Sequence, residues 1–230
     1  MLRFRYSVAI WCPKSNRCSA AVLSLFACLA LLSCTTASDP VRIIAHPPES
    51  NVLHAKNIQI DSKHPAQGLT VWYYHCRPQI KFDSRIDKVH HEVNATVRGV
   101  TLEVGLTIKQ MLPQAASADV VAHEDGHAEI CRRVYRDAGA IADECSRRLL
   151  GKQFSGGGTT DQQAMAAATA AAQQALCQDY ASQTSARADA LSAEYDRMTL
   201  HGAAKIVAAK AVEQVFNDEP KHVAPSQKVQ

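Results

Sequence analysis

The sequence has little net charge once its basic N-terminal segment is set aside. The first 33 residues hold four of the 25 Lys and Arg residues and none of the 22 Asp and Glu residues, which leaves a net charge of −1 on the rest of the chain. Proteins that bind nucleic acid carry a basic patch or stripe that attracts phosphate. The near-neutral net charge after residue 33 therefore predicts that nucleic acid is not a partner.

The apolar run at residues 19–33 is also too short to cross a bilayer, because a transmembrane helix needs roughly 20 apolar residues. It follows a basic lead with Arg3, Arg5, Lys14 and Arg17, an order typical of an export signal. We expect residues 1–33 to be removed and the protein to be exported.

The leader ends in "LLSC", which resembles the lipobox of bacterial lipoproteins and makes Cys34 the lipidation site. This predicts a lipid-anchored protein on the periplasmic side of a bacterial cell envelope, at the outer membrane. The alternative is cleavage near Ala37 in "TTAS", which releases a soluble secreted or periplasmic protein.

The pattern of the exported chain changes once, near Pro113. Before it, β-formers cluster, and residues 100–108 alternate apolar and polar as a half-buried strand requires. The apolar phase slips at Gly99, which predicts a bulge or tight turn. After Pro113 the spacing is helical. We therefore predict an α+β fold: a tether at 34–55, a single domain at 56–216 with a sheet at 56–112 and helices at 117–216, and a disordered tail at 217–230.

The helical half predicts a long hairpin and a short third helix. Ser117 is a plausible N-cap of a first helix that ends before "SGGGTT", and Thr160 with Gln163 forms a capping box for a second that ends near Tyr195. The third helix spans about 203–216. In an antiparallel hairpin around the glycine loop, residues whose numbers add to about 311 lie side by side.

Four cysteines follow Cys34: Cys76, Cys131, Cys145 and Cys177. In an oxidising compartment an even number predicts two disulfides, the alternative being four unpaired buried thiols. Cys131 and Cys145 lie about 21 Å apart on one predicted helix and cannot bond each other. The hairpin places Cys131 within about one turn of Cys177, so we predict the pairs Cys131–Cys177 and Cys76–Cys145.

The stretch "VAHEDGHAEIC" at residues 121–131 carries the strongest chemical signal. His123 and His127 lie one helical turn apart, so their imidazoles can bind one Zn²⁺ ion. Glu124 is rotated by about 100° around the helix axis from the face that carries the two histidines. Its carboxylate therefore suits a general base acting on water at the open metal position. Gly126 costs about 1 kcal/mol relative to Ala in a helix, which predicts close approach of a ligand or another segment. The alternative is a structural histidine pair without activity.

A catalytic zinc needs a third protein ligand. The sequence offers His201 and three carboxylates, Asp189, Glu194 and Asp196. His201 precedes Gly202 at the turn after the second helix, where an imidazole can point inward. The alternative role for His201 is to cap the last carbonyls of that helix.

The pair of motifs "HEDGHAEI" and, about seventy residues later, "YDRMTLHG" resembles the H-E-x-x-H and Y-D-x-x-T-x-H-G motifs of a family of bacterial secreted proteins predicted to be zinc-dependent proteases. The resemblance spans about residues 69–216, is loose in "VWYYHCRPQIKF", and includes a strand ending in "LP" before the motif helix. It implies a zincin-like metallopeptidase fold.

The same resemblance implies a role for each matching residue. It places the metal ligands at His123, His127 and His201 and the general base at Glu124. It leaves three residues to support the oxyanion or orient a ligand: Tyr195, Asp196 and Thr199.

We therefore expect a zinc metallopeptidase that hydrolyses amide bonds of a peptide or protein substrate extended along the strand at 100–108. Two alternatives remain. One is a catalytically silent envelope lipoprotein that acts as a metal-binding scaffold or protein-binding module. The other is a peptidoglycan amidase or endopeptidase with the same zinc chemistry.

Overall fold

The computed structural model describes residues 39–55, 68–204 and 206–219. The expected leader, the lipidation site Cys34 and the part of the expected tail after residue 219 lie outside the described residues. The strands are β1 (Val41–Ala45), β2 (Glu49–Ala55), β3 (Leu69–Asp87), β4 (Glu92–Pro113) and β5 (Gln153–Gly157). The helices are α1 (Ala118–Arg136), α2 (Ala138–Leu149), α3 (Asp161–Gln183), α4 (Ser185–Thr199) and α5 (Ala208–Asp218). The predicted α+β class is confirmed.

Strand β4 organises the sheet, because every other described strand pairs with it. β3 runs antiparallel along one edge of β4, from Leu69 opposite Met111 to Asp87 opposite Glu92. The opposite edge is shared by β5, which is antiparallel, and by β1 and β2, which are parallel. The sheet is therefore mixed. β3 is its long outer strand, since it pairs with no described strand other than β4.

Alternate side chains of β4 build the core beneath the helices. The change of apolar phase at Gly99 coincides with a register shift between Lys81 and Phe82 of β3, so the predicted bulge is confirmed. The extra residue keeps the apolar side chains on one face along the whole strand. Each large aliphatic side chain buried there contributes roughly 1.5–3 kcal/mol. The buried set after the bulge is Val100, Leu102, Val104, Leu106 and Ile108.

Two segments predicted to lie outside the sheet belong to it. Residues 41–55, predicted as part of a tether, form β1 and β2, and Val41 is buried. The glycine segment predicted as a hairpin loop contains β5, which pairs with residues 92–96 of β4. These strands are short and carry few core residues, so their β-structure depends on the neighbouring strand rather than on their own composition.

Each of the two predicted long helices is broken, the first at Asp137 and the second at Thr184. At the second break the Thr184 hydroxyl donates to the Tyr180 carbonyl oxygen at 2.8 Å, and the Ser185 hydroxyl donates to the Ala181 carbonyl oxygen at 3.2 Å. Such side-chain hydrogen bonds to the preceding turn bend helices. The last helix, α5, runs two residues into the segment predicted as a tail. None of the helices in the described part is both long and apolar enough to span a membrane.

The helices fold back as a hairpin, with α1 against α4 and α2 against α3, but in a different register from the predicted one. His127 lies beside Asp196, and Arg148 beside Asp179. The prediction placed residue 127 beside residue 184, so the second arm is displaced by about twelve residues, or roughly 18 Å. The connection between α2 and α3 does not turn tightly, because β5 within it pairs with residues 92–96 of β4 and so carries the chain along the sheet before α3 begins.

This register explains why both predicted disulfide pairs, Cys131–Cys177 and Cys76–Cys145, are wrong. Cys177 of α3 lies over the sheet and bonds Cys76 of β3, with the Cα atoms 5.7 Å apart. Cys131 and Cys145 are free and buried. Burial raises the pKa of the Cys131 thiol to about 12 and that of the Cys145 thiol to about 11. Both therefore remain protonated at neutral pH.

Reduction of the Cys76–Cys177 disulfide is expected to lower the free energy of unfolding by about 2–5 kcal/mol, because the bond joins residues 101 positions apart. Thermal unfolding with and without a reducing agent measures the effect. The double variant Cys76→Ala/Cys177→Ala should lose its sensitivity to the reducing agent, whereas Cys131→Ala/Cys145→Ala should keep it. A sensitivity that disappears in the second variant instead would contradict the observed pairing.

Candidate metal centre

Two histidines of α1 face α4 at the first half of the helix. The Ser117 side chain accepts a hydrogen bond from the Val120 N–H at 3.3 Å, which confirms the predicted N-cap and places His123 and His127 one turn apart. Their side chains are only 11% and 9% exposed, and their ring centroids are 4.9 Å apart. The pair predicted from the motif is thus brought together.

Tyr195 of α4 explains the glycine within the motif. A Cβ atom at Gly126 would overlap the Tyr195 hydroxyl, so glycine permits this close approach of the two helices, as predicted. The Tyr195 ring stacks on His123 at 5.1 Å and meets His127 edge-on at 5.0 Å. Its hydroxyl donates to the His123 carbonyl oxygen at 3.2 Å, and burial raises the pKa of Tyr195 to about 12. Tyr195 therefore packs against both imidazoles and restricts their orientation.

Asp196, the next residue of α4, completes a group of three ligand atoms. Its Oδ1 lies 3.2 Å from Nε2 of His123 and 3.1 Å from Nε2 of His127. In the described part of the chain, these three residues form the group whose ligand atoms all lie within 4.8 Å of one another. Burial acts to raise the pKa of the Asp196 carboxyl, but hydrogen bonds and charge from the two histidines outweigh it and hold that pKa well below its ordinary value. Asp196 is therefore ionised and available as a ligand.

Thr199 of α4 contacts Nδ1 of His123, the ring nitrogen that does not face Asp196. The Thr199 hydroxyl donates to the Tyr195 carbonyl oxygen at 2.8 Å, so it accepts from the Nδ1–H of His123, 3.4 Å away. Nε2, on the other side of the ring, faces Asp196 Oδ1 at 3.2 Å. In the absence of an ion a proton joins these two atoms, and a cation bound between them can take its place. The site is therefore suited to a positive ion.

His201 lies beside this group but not within it. Its Nδ1 is 3.6 Å from Asp196 Oδ1, and its side chain is 78% exposed. Leu200, His201 and Gly202 all have positive φ, at 50°, 53° and 85°, a region that non-glycine residues seldom adopt. α4 continues to Thr199, about one turn beyond its predicted end. The position beside the two histidines that was assigned to His201 is therefore occupied by Asp196, which the sequence offered as an alternative.

The other two carboxylates that the sequence offered as ligands lie apart from the three-residue group. Glu194 forms an ion pair with Arg197 at the surface. Asp189 accepts a hydrogen bond from the indole N–H of Trp72 at 2.9 Å and lines the cleft that contains the histidines. Neither has the contact with both imidazoles that Asp196 makes.

Glu124 is buried beside the histidines and is not one of the three clustered ligands. Its Oε2 accepts a hydrogen bond from the Thr70 hydroxyl at 2.6 Å. A Cβ atom at Gly68 would lie 2.7 Å from Glu124 Oε1, so glycine leaves room for the carboxylate. Thr70 of β3 and the adjacent Gly68 therefore define the position of the Glu124 carboxylate.

The three clustered ligands and Glu124 share a cleft of about 480 Å³ between β3, α1, α4 and the turn at residues 201–203. Three other residues that line it were not predicted from the sequence: Thr70, Trp72 and Ser192. A signal for the first two was present, because the period of two in "LTVWYYHC" places Thr70 and Trp72 on the same face as Tyr74 and Cys76. An inward-facing Thr among large apolar residues marks a polar contact beneath the sheet.

No protein-family model, no curated protein and no solved structure matches this chain.

Proposed function

We propose that the chain is a zinc-dependent metallopeptidase with a zincin-like fold that hydrolyses amide bonds. The observation that supports this most directly is the convergence of His123, His127 and Asp196, with the buried carboxylate of Glu124, in one cleft. Two imidazole nitrogens and one carboxylate oxygen are a known donor set of catalytic zinc sites, in which the fourth position stays open. The ionised Asp196 carboxylate, which faces Nε2 of both histidines, suits this ion.

Each residue of the site then has a definite task. Zinc, when bound, lowers the pKa of a water molecule in the open position to near 7 and polarises the substrate carbonyl. Glu124 accepts the proton of the attacking water and returns it to the leaving amine. Thr70 orients the Glu124 carboxylate through its hydrogen bond. His201, exposed at the mouth of the cleft, is placed to donate to the negative oxygen of the transition state.

The substrate is proposed to lie along β3 rather than along residues 100–108. The strand at 100–108 is the interior part of β4, paired with β3 on one edge and with β1 and β2 on the other except at residues 105 and 106. It therefore has no continuous free edge, and that part of the prediction is wrong. The outer edge of β3 pairs with no other described strand, and Gly68, Leu69 and Thr70 line the cleft. An extended peptide can add to such an edge and bring its carbonyl to Glu124.

Export and lipid anchoring at Cys34 belong to the same proposal. A disulfide between Cys76 and Cys177 agrees with an oxidising compartment such as the bacterial periplasm. The proposed location is the periplasmic side of the cell envelope, where peptides, unfolded proteins and the peptide part of the cell wall are all accessible substrates.

The purified protein is expected to contain one zinc ion per chain and to cleave an unfolded, labelled protein, with activity that a chelator removes and added zinc restores. Metal content and product masses are the measurements. Cleavage of peptidoglycan fragments without cleavage of unfolded protein would show that the substrate is the peptide part of the cell wall. A stable zinc complex that cleaves neither would favour a metal-binding scaffold and contradict the hydrolase.

A further inference from the structure

The walls of the cleft carry an excess of negative charge. Four of the residues that line it are carboxylates, Asp119, Glu124, Asp189 and Asp196, and no Lys or Arg is among the described residues that line it. A divalent ion bound by Asp196 and the two histidines would offset only part of this charge. Low-dielectric walls of one sign concentrate ligands of the opposite sign. The cleft therefore favours a substrate that brings positive charge.

One wall of the cleft presents polar groups at helical spacing. Asp189, Ser192 and Asp196 lie on one face of α4, and all three line the cleft. Asp189 makes no ion pair with any described residue, and its only hydrogen bond within them comes from the Trp72 indole N–H to Oδ1. Trp72 thus orients the Asp189 carboxylate through one oxygen, and the second oxygen has no hydrogen bond from the described residues.

The buried hydroxyl of Ser192 is independent evidence for a ligand at this wall. It is only 3% exposed, and its hydroxyl is buried without a hydrogen-bond partner among the described residues. Most buried hydroxyls in proteins are hydrogen-bonded. A hydroxyl accepts hydrogen bonds as readily as it donates them, so Ser192 can accept an N–H from a group that enters beside Asp189.

We propose that Trp72, Asp189 and Ser192 form a specificity subsite for a cationic side chain of the substrate, a lysine ammonium or an arginine guanidinium. Asp189 supplies the charge and Ser192 a second acceptor. Trp72 holds the Asp189 carboxylate in place and separates it from the metal ligands by stacking on His127, with ring centroids 6.3 Å apart. This inference rests on the proposed function, because it makes the bound group part of a peptide whose scissile bond reaches Glu124. It adds a preference for basic peptides.

The test is a binding titration with matched peptides, and it needs no turnover. A pentapeptide blocked at both ends with a central lysine is compared with the same peptide carrying methionine there. Trp72 is the only tryptophan after residue 33, so its fluorescence reports occupancy of the subsite. The protein is used both loaded with zinc and treated with chelator. We expect the lysine peptide to bind about tenfold more tightly than the methionine peptide in both states, as one charge-assisted pair in a partly exposed cleft provides.

Two variants make the outcome decisive. Asp189→Asn keeps an acceptor for the Trp72 indole and removes the charge, so the tenfold preference should disappear while binding of the methionine peptide stays unchanged. Glu194→Gln removes one negative charge from the same helix outside the cleft and should keep the preference. Equal binding of the two peptides by the wild type, or a preference that persists in Asp189→Asn, would overturn the subsite. Absence of bound zinc or of cleavage would count against the proposed function alone, because the peptide preference is measured without either.

Discussion

Replacement of Glu124 by glutamine is expected to slow amide hydrolysis by about 10²–10⁴-fold, the usual contribution of a general base, while leaving the zinc content at one ion per chain. A glutamine amide can still accept the Thr70 hydrogen bond, and Gly68 leaves the same space for it. It cannot take up a proton. Glu124 is not part of the ligand group of His123, His127 and Asp196, so zinc should stay bound. Steady-state rates and metal analysis of the same preparation measure the two effects.

Glu129→Gln is the matched control for this substitution. Glu129 lies on the same helix, and its carboxylate pairs with Arg133 and Arg136 outside the cleft. The control variant should hydrolyse substrate at the rate of the wild type. Loss of zinc from Glu124→Gln would show that Glu124 is a ligand. Full activity in that variant would remove the general base from the mechanism and with it the assignment of this cleft as a hydrolytic site.

Replacement of Asp196 by asparagine is expected to weaken zinc binding by at least about 100-fold, since even groups outside the ligand set contribute 10–100-fold at metal sites. The change removes the negative charge that faces both imidazoles at 3.1 and 3.2 Å, yet keeps the shape of the side chain. Competition titration against a zinc chelator of known affinity gives the constant, and circular dichroism verifies that the variant is folded.

His201→Ala is the decisive comparison for Asp196→Asn. His201 is exposed and lies outside the group of three, so its removal should leave zinc affinity nearly unchanged and reduce the rate of hydrolysis. If Asp196→Asn retains zinc and His201→Ala loses it, the ligands are His123, His127 and His201, as the motif resemblance implies. Loss of zinc from both variants would indicate four protein ligands. A tetrahedral site with four protein ligands is closed, which is typical of structural rather than catalytic zinc.

The local features of the site were predictable because they depend on short sequence separations. His123 and His127 share a face because they are four residues apart on a helix, and Ser117 caps that helix. The cost of glycine within a helix pointed to a close contact at Gly126, and Tyr195 makes that contact. The alternation along β4 and its slip at Gly99 set both the buried face and the bulge.

The features that were predicted wrongly depend on how far one helix slides along another. The disulfide pairs and the contact expected of His201 both assumed a tight glycine turn between two uninterrupted helices. A five-residue strand, β5, lies in that connection, and its pairing is a long-range interaction with β4 that the glycine-rich sequence does not reveal. The resulting displacement brings Asp196 to the histidines and Cys177 to Cys76.

The sequence by itself determined the chemistry available on α1, namely two imidazoles one turn apart with a carboxylate beside them, because helical geometry relates such neighbours without help from the rest of the chain. Only the tertiary structure decided which distant residues face them. Asp196 contacts His123 because α4 packs against α1, and Thr70 contacts Glu124 because β3 packs against α1. That packing is set by the summed burial of many side chains along β4, so no single motif encodes it.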